Sequence, residues 1–172
     1  MSQTEPPAPV PPSPGLQGQT LDDVAVFAAA LAPSRRLIGI DAGTKTLGLA
    51  LSDVSRFIAS PLETIQRTKF TADATRLLQI AAEHNITGFV LGWPVNLDGT
   101  IGPRAQATRA FARNVNKLTP LPIFLWDERL STAEAERMLI SADASRKRRA
   151  DVIDKLAATI ILQGALNRMR HL

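Results

Sequence analysis

The chain has 172 residues, of which 45% are hydrophobic and 21% charged, with no cysteine and two histidines. That length fits one domain with a sizeable core. The missing cysteines exclude a disulfide framework, a thiolate nucleophile and a Cys-based zinc site. His84 and His171 lie too far apart in the chain to suggest a Ser-His-Asp hydrolase or a His-rich metal site.

The formal net charge of +4 is unevenly spread. Residues 1–34 hold Glu5, Asp22 and Asp23 and no Lys or Arg, so all 20 basic residues fall in the remainder. A basic body attracts polyanions, of which nucleic acid is the commonest. No run approaches the roughly 18 apolar residues of a membrane span. The richest stretch, Val24 to Ala32, follows two acids and no Lys or Arg, which makes a poor signal peptide. A cytoplasmic protein without membrane contact is the expectation.

Residues 1–20 carry six prolines among Ser, Gln and Gly and read as a disordered tail. Thr20 before Leu21-Asp-Asp-Val predicts an N-cap and a short helix to about Leu31, stopped at Pro33. With its linker this unit covers 21–36, and a single domain is expected over 37–172. Leu37-Ile-Gly-Ile-Asp41 and Leu47-Gly-Leu-Ala-Leu-Ser52 predict two strands around a tight Ala42-Gly-Thr-Lys-Thr turn. Phe57 to Gln66 reads as a third strand, with Ser60-Pro61 at a bend or edge.

Apolar residues 74, 77, 78 and 81 predict a helix over 71–84. Gly88-Phe-Val-Leu-Gly92 reads as a buried strand, 94–103 as a loop and 104–118 as a helix. Pro122 to Trp126 reads as another strand, ending at Asp127-Glu128. Ser131-Thr-Ala-Glu134 has the capping-box pattern and predicts a helix to about Ile140. A linker over 141–149 and a last helix over 151–168 complete the chain.

Three strands joined by turns give an antiparallel meander, and strands joined through helices pair in parallel. The predicted fold is a mixed five-stranded α/β sheet with helices on both faces, the order of the ribonuclease H-like fold. The acids fall at its rim: Asp41 ends the first of these strands, and Asp127 and Glu128 end the fifth. Asp151 and Asp154 lie three apart, on one face of the last helix. Clustered carboxylates are the ligands of hard cations such as Mg²⁺. Two such ions can drive phosphodiester hydrolysis without His, Cys or a covalent nucleophile.

Other readings stand beside this one. Asp151 and Asp154 would also complement the dipole of a helix N-terminus. Asp127 would also serve as a helix cap, and Glu128 as a partner of Arg129. Asp41 is hardest to dismiss, because a charge ending an apolar strand needs a partner. Strand alternation points Asp127 and Glu128 to opposite faces without saying which faces the site. Arg146-Lys147-Arg148-Arg149 precedes the last helix and would meet an incoming phosphate backbone. Lys45, Arg104 and Arg129 lie in the other rim segments and would position the strand without reading its sequence. Trp93 would either stack on a base or pack under the 94–103 loop.

The segments Gly39-Ile-Asp-Ala-Gly-Thr-Lys-Thr-Leu-Gly-Leu-Ala-Leu-Ser-Asp53, Leu91-Gly-Trp-Pro-Val-Asn-Leu-Asp-Gly-Thr100, Gly102-Pro-Arg-Ala-Gln106, Asp127-Glu-Arg-Leu-Ser-Thr132 and Asp154-Lys-Leu-Ala-Ala158 closely resemble the YqgF/RuvX family. The resemblance runs from about Leu37 to Asn167. It implies a ribonuclease H-like nuclease for the 5′ end of pre-16S rRNA, with Holliday junction resolvase as the older label. Carried over by position, it implies catalytic roles for Asp41, Glu128, Asp154 and the adjoining Asp127. Asp41, Glu128 and Asp154 would hold Mg²⁺ or Mn²⁺, with Asp151 a helper. Ala42 and Trp93 depart from the family, which often has an aromatic residue and Leu there.

The expectation is a metal-dependent nuclease acting on structured RNA, a precursor rRNA, as a monomer or homodimer. The alternatives are a resolvase acting on DNA junctions and a non-catalytic RNA-binding or transcription-associated module. Asp41-Ala-Gly-Thr44 also resembles the phosphate loop of actin-like ATPases and sugar kinases. Those place nucleotide between two such domains, and this length holds one.

Overall fold

A computed structural model describes residues 18–131 and 146–172, with side chains in the last helix from Lys155 onward. Six strands and four helices are described. The strands are β1 (Thr20–Leu21), β2 (Arg36–Ala42), β3 (Thr46–Ser52), β4 (Ala59–Gln66), β5 (Ile86–Trp93) and β6 (Ile123–Asp127). The helices are α1 (Val24–Ala30), α2 (Phe70–Glu83), α3 (Pro103–Asn116) and α4 (Arg146–Arg170), with a short 3₁₀ turn at Glu128–Leu130. The sheet order is β1-β6-β5-β2-β3-β4. β2, β3 and β4 pair antiparallel, and β2, β5, β6 and β1 pair in parallel. This is the ribonuclease H-like arrangement.

Alternation along the strands creates two cores. Ile38, Ile40, Leu47, Leu49, Phe89, Leu91, Ile123 and Leu125 face α2 and α3. Leu37, Ala50, Val90, Phe124 and Trp126 face α1 and α4, against Phe27, Ala158, Ile161 and Leu162. β5 is buried along nearly its whole length because helices cover both its faces.

Four expectations about the elements need correction. The sheet has six strands rather than five, because Thr20 and Leu21 pair with Ile123 and Phe124. Thr20 is therefore a strand residue whose hydroxyl takes the Asn116 amide at 2.6 Å, and no helix cap. Asp23 caps α1 instead, accepting from the amides of Ala25 and Val26. The pairing shields an otherwise open β6 edge.

The third strand starts at Ala59 rather than Phe57. Asp53 draws the amides of Phe57 and Ile58 into the preceding turn at 2.8 and 3.1 Å. Pro61 does lie on an edge strand, at a register shift.

The last helix begins at Arg146, so the basic run is helical backbone rather than linker. Arg and Lys are good helix formers, and nothing in the run stops the helix from extending through it. Asp151 and Asp154 thus fall in its second and third turns, beyond the reach of the N-terminal dipole. The Pro-rich tail before Gly18, the capping-box helix after Ser131 and residues 141–145 of the predicted linker lie outside the described residues.

Candidate active site

β2, β5 and β6 run in parallel, so their C-terminal ends share one edge of the sheet. Asp41 stands near the end of β2, on the face that Leu37 and Gly39 present to α4. On β6, Phe124 and Trp126 face α4, while Leu125 belongs to the opposite core. The same alternation sends Asp127 to the α2–α3 side and brings Glu128 to the α4 side with Asp41.

The middle strand makes this approach possible. Gly92 on β5 is the register neighbour of Trp126 and lies one step beyond the Ile40–Leu91 pair. A Cβ on Gly92 would lie 2.5 Å from Glu128 Oε1 and 2.5 Å from Ile161 Cδ1. The bare glycine is thus the floor on which the Glu128 carboxylate rests, across β5 towards Asp41. A side chain there would occupy that floor. Gly92→Ala is expected to lower by about 10²-fold any activity that depends on the Glu128 carboxylate, because a displacement of about 1 Å at a reacting group is enough for such a loss. Both obstructing atoms end flexible side chains, so the melting temperature should move much less than the rate. The rate of that activity and thermal unfolding, measured on the same preparation, check this.

Glu128 pays electrostatically for its place. Burial first, and then the charge of Asp41, push its carboxyl up from 4.5 to about 7. Asp127 adds to the rise, and Arg104 at the start of α3 opposes it. Arg104 is therefore near enough to act on the Glu128 carboxylate.

Asp127 and Arg129 are engaged with each other. Asp127 Oδ2 accepts from Arg129 Nη2 at 2.6 Å, and its Oδ1 accepts the Arg129 amide at 2.9 Å. Arg129 beside Asp127 holds that carboxyl below the usual range. Asp127 is thus the cap of the 3₁₀ turn. The alternative pairing of Glu128 with Arg129 is corrected, because Arg129 takes Asp127.

α4 completes the edge. Its C-terminal residues Leu166 and Met169 lie by Arg56, which donates to the Arg35 carbonyl at the start of β2. Ala158 and Leu162 meet Gly39 further along the strand. The helix therefore runs antiparallel to β2. Position 154, one turn before Ala158, lies towards the Asp41 end. The side chains of Arg146, Lys147, Arg148, Arg149, Asp151 and Asp154 lie outside the described residues. Among the described residues no three His, Asp or Glu side chains gather at one point. Lys45 is exposed in the β2–β3 turn, at the same edge.

Two further residues shape the site and were missed in the sequence. Arg67 donates from Nη1 to the Gly43 carbonyl at 2.5 Å and lies 5.6 Å from the centre of the Phe111 ring. It also lies 3.9 Å from buried Asp73, whose other oxygen accepts the Thr68 amide. Arg67 thereby clamps the turn after Asp41 against α2 and α3, a long-range contact with no local signal. Gly92 did carry a signal, since a glycine inside a strand marks close approach of another group. Trp93 packs under the loop: its Nε1 donates to the Ala105 carbonyl at 3.1 Å, and Arg109 covers its ring at 4.8 Å.

The sheet order, with acids from separate elements at its parallel-strand edge, defines the class, that of ribonuclease H-like α/β domains. The family model for RuvX, described as Holliday junction resolvase, matches residues 35–168. The chain belongs to the RuvX family. A relative from Rhodobacter capsulatus, named "Putative pre-16S rRNA nuclease", is 62% identical over 146 residues, 85% of this chain and 92% of that protein. A relative of the same name from Paracoccus denitrificans is 60% identical over 151 residues, covering 88% and 96%. Among solved structures, T. thermophilus RuvC in complex with a Holliday junction substrate aligns at a TM-score of 0.51 and 16% identity. That alignment covers 78% of this chain and 96% of RuvC, and shows a shared fold. Among the described residues no helix is long and apolar enough to cross a membrane.

Proposed function

We propose that this chain is a cytoplasmic Mg²⁺- or Mn²⁺-dependent nuclease that hydrolyses phosphodiester bonds of structured RNA, at the 5′ end of a 16S rRNA precursor. The observation that carries the reading is the placement of Glu128, a carboxylate held half-buried over Gly92 and facing Asp41. A carboxylate whose ionisation is opposed by burial and by the charge of Asp41 is a poor arrangement for stability and a good one for a cation. The oxygen-only donors suit a hard divalent ion, so the residues fit the group that the family implies. Asp41, Glu128 and Asp154 would hold it. When bound, such an ion supplies Lewis acidity and a water acidic enough to attack phosphorus.

The remaining chemistry belongs to the chain. Asp127 orients Arg129, whose guanidinium, with Arg104 and Lys45, would receive the phosphates flanking the scissile bond. Residues 146–149 open α4 with four consecutive cations, on the approach to position 154. These contacts read the backbone and leave strand identity to the surrounding surface. The names of the two relatives support RNA as the substrate. The description of the family favours a second reading, cleavage of DNA junctions, in which a homodimer rather than a monomer would act.

A 5′-extended 16S precursor and a four-way DNA junction, incubated in parallel, separate these readings. Cleavage of the RNA with Mn²⁺, lost with EDTA and reduced at least about 10³-fold by Asp41→Asn, is the expected result. Junction cleavage with the same requirements would replace RNA by DNA. Binding of either substrate without cleavage by the wild-type chain would point to a non-catalytic module.

A further inference from the structure

The loop over residues 94–102, between β5 and α3, is closed by its own hydrogen bonds. The Asn96 amide donates to the Thr100 carbonyl at 3.0 Å, and the Gly99 amide donates back to the Asn96 carbonyl at 2.8 Å. Asn96 Nδ2 donates to Thr100 Oγ1 at 2.9 Å, and that hydroxyl donates to Asp98 Oδ1 at 2.6 Å. Gly99 takes φ +87°, which completes a tight turn at low steric cost. The polar side chains at 96, 98 and 100 are thus turned upon one another. Leu97, between them, is 93% exposed, the most exposed large apolar side chain among the described residues. Folding gains almost nothing from a leucine there, since almost none of it leaves water.

The loop stands beside the proposed site. A Cβ on Gly99 would lie 3.4 Å from Arg129 Nη1, and Arg129 is held by Asp127, next to Glu128. The loop leads directly into α3, which carries Arg104. Leu97 therefore rides on a firm turn flanked by two cations suited to phosphate. A lone leucine is too small an anchor for a stable protein interface, which takes on the order of 800 Å² from each partner. It matches the face of one base, and apolar side chains of this kind open stacked steps in other nucleic-acid complexes.

We propose that Leu97 is a wedge that packs against a base of the bound strand, unstacks it and so presents the adjacent phosphodiester to Asp41 and Glu128. This rests on the nuclease reading above. The test uses an RNA stem–loop with a single-stranded 5′ extension, labelled with 2-aminopurine at successive positions and bound in Ca²⁺. Wild-type protein should brighten the label at one or two adjacent positions.

Leu97→Ser should abolish that brightening and weaken binding about 3- to 10-fold, with an unchanged melting temperature. Leu97→Phe should restore it. Leu118→Ser, an exposed leucine just beyond α3, should behave as wild type. Equal brightening and affinity for Leu97→Ser would overturn the wedge and leave the nuclease reading intact. No binding of the probe by wild-type protein would overturn both.

Discussion

Glu128→Gln should abolish cleavage while stabilising the metal-free protein at pH 8. The half-buried Glu128 carboxyl holds its proton to about pH 7, against an ordinary 4.5, chiefly through burial and then through the charge of Asp41. Below pH 4.5 the side chain is protonated whether the chain is folded or not, and it does not oppose folding. Between pH 4.5 and about 7 the folded state binds more protons than the unfolded state, so stability falls as pH rises. Above pH 7 the loss is complete, at about 2–3 kcal/mol once partial exposure to water is allowed for. Glutamine has nearly the same shape and no charge, so it should recover this energy at pH 8 and none of it at pH 4. Cleavage should drop at least about 10³-fold, as expected for the loss of a metal-ligating carboxylate. Chemical denaturation at the two pH values, beside the cleavage assay, decides the matter. A variant equally or less stable at pH 8 would remove the strained carboxylate on which the proposed site rests. Mn²⁺ should raise the melting temperature of the wild type well above its effect on the variant, since binding to the folded state stabilises it.

The second large effect is expected at Gly39. A Cβ there would lie 2.6 Å from Leu162 Cβ and 2.9 Å from the Ala158 carbonyl oxygen. Both are backbone or next to it, so no rotamer change gives relief, in contrast to Gly92. α4 would have to lift from the sheet, loosening the packing of Ala158, Ile161 and Leu162 against Val90, Phe124 and Trp126. Overpacking of this kind costs roughly 3 kcal/mol. For a domain of this size that lowers the melting temperature by roughly 10 °C. Because α4 also carries position 154, cleavage should fall even below the melting transition. Thermal unfolding of Gly39→Ala, with single-turnover cleavage at low temperature, separates the two losses. An unchanged melting point would mean that α4 does not sit on β2 at this register.

Much of the molecule was legible along the chain. The placement of β2, β3, β5 and β6 follows from short apolar runs bounded by turns, and α2 and α3 from their helical spacing. The place of Asp41 at the rim was legible for a local reason: a carboxylate near the end of an apolar strand, before a glycine turn, must lie at the rim of a sheet. The inventory without cysteine, and with two distant histidines, left oxygen ligands as the available chemistry.

Other features were decided only in three dimensions. Alternation says that Asp127 and Glu128 diverge, but the packing of α4 against Phe124 and Trp126 selects Glu128 for the face of Asp41. Thr20 and Leu21 form a strand because β6 offers an open edge, and two residues carry no periodicity to announce it. Arg67 reaches Gly43 across 24 positions of sequence. Leu97 reads as one more apolar residue until the turn around it is seen to leave it in water. Local sequence determines which elements form and which residues end them, because propensity and alternation are short-range. Which face those ends share, and which charges must coexist there, depends on contacts between elements distant in the chain.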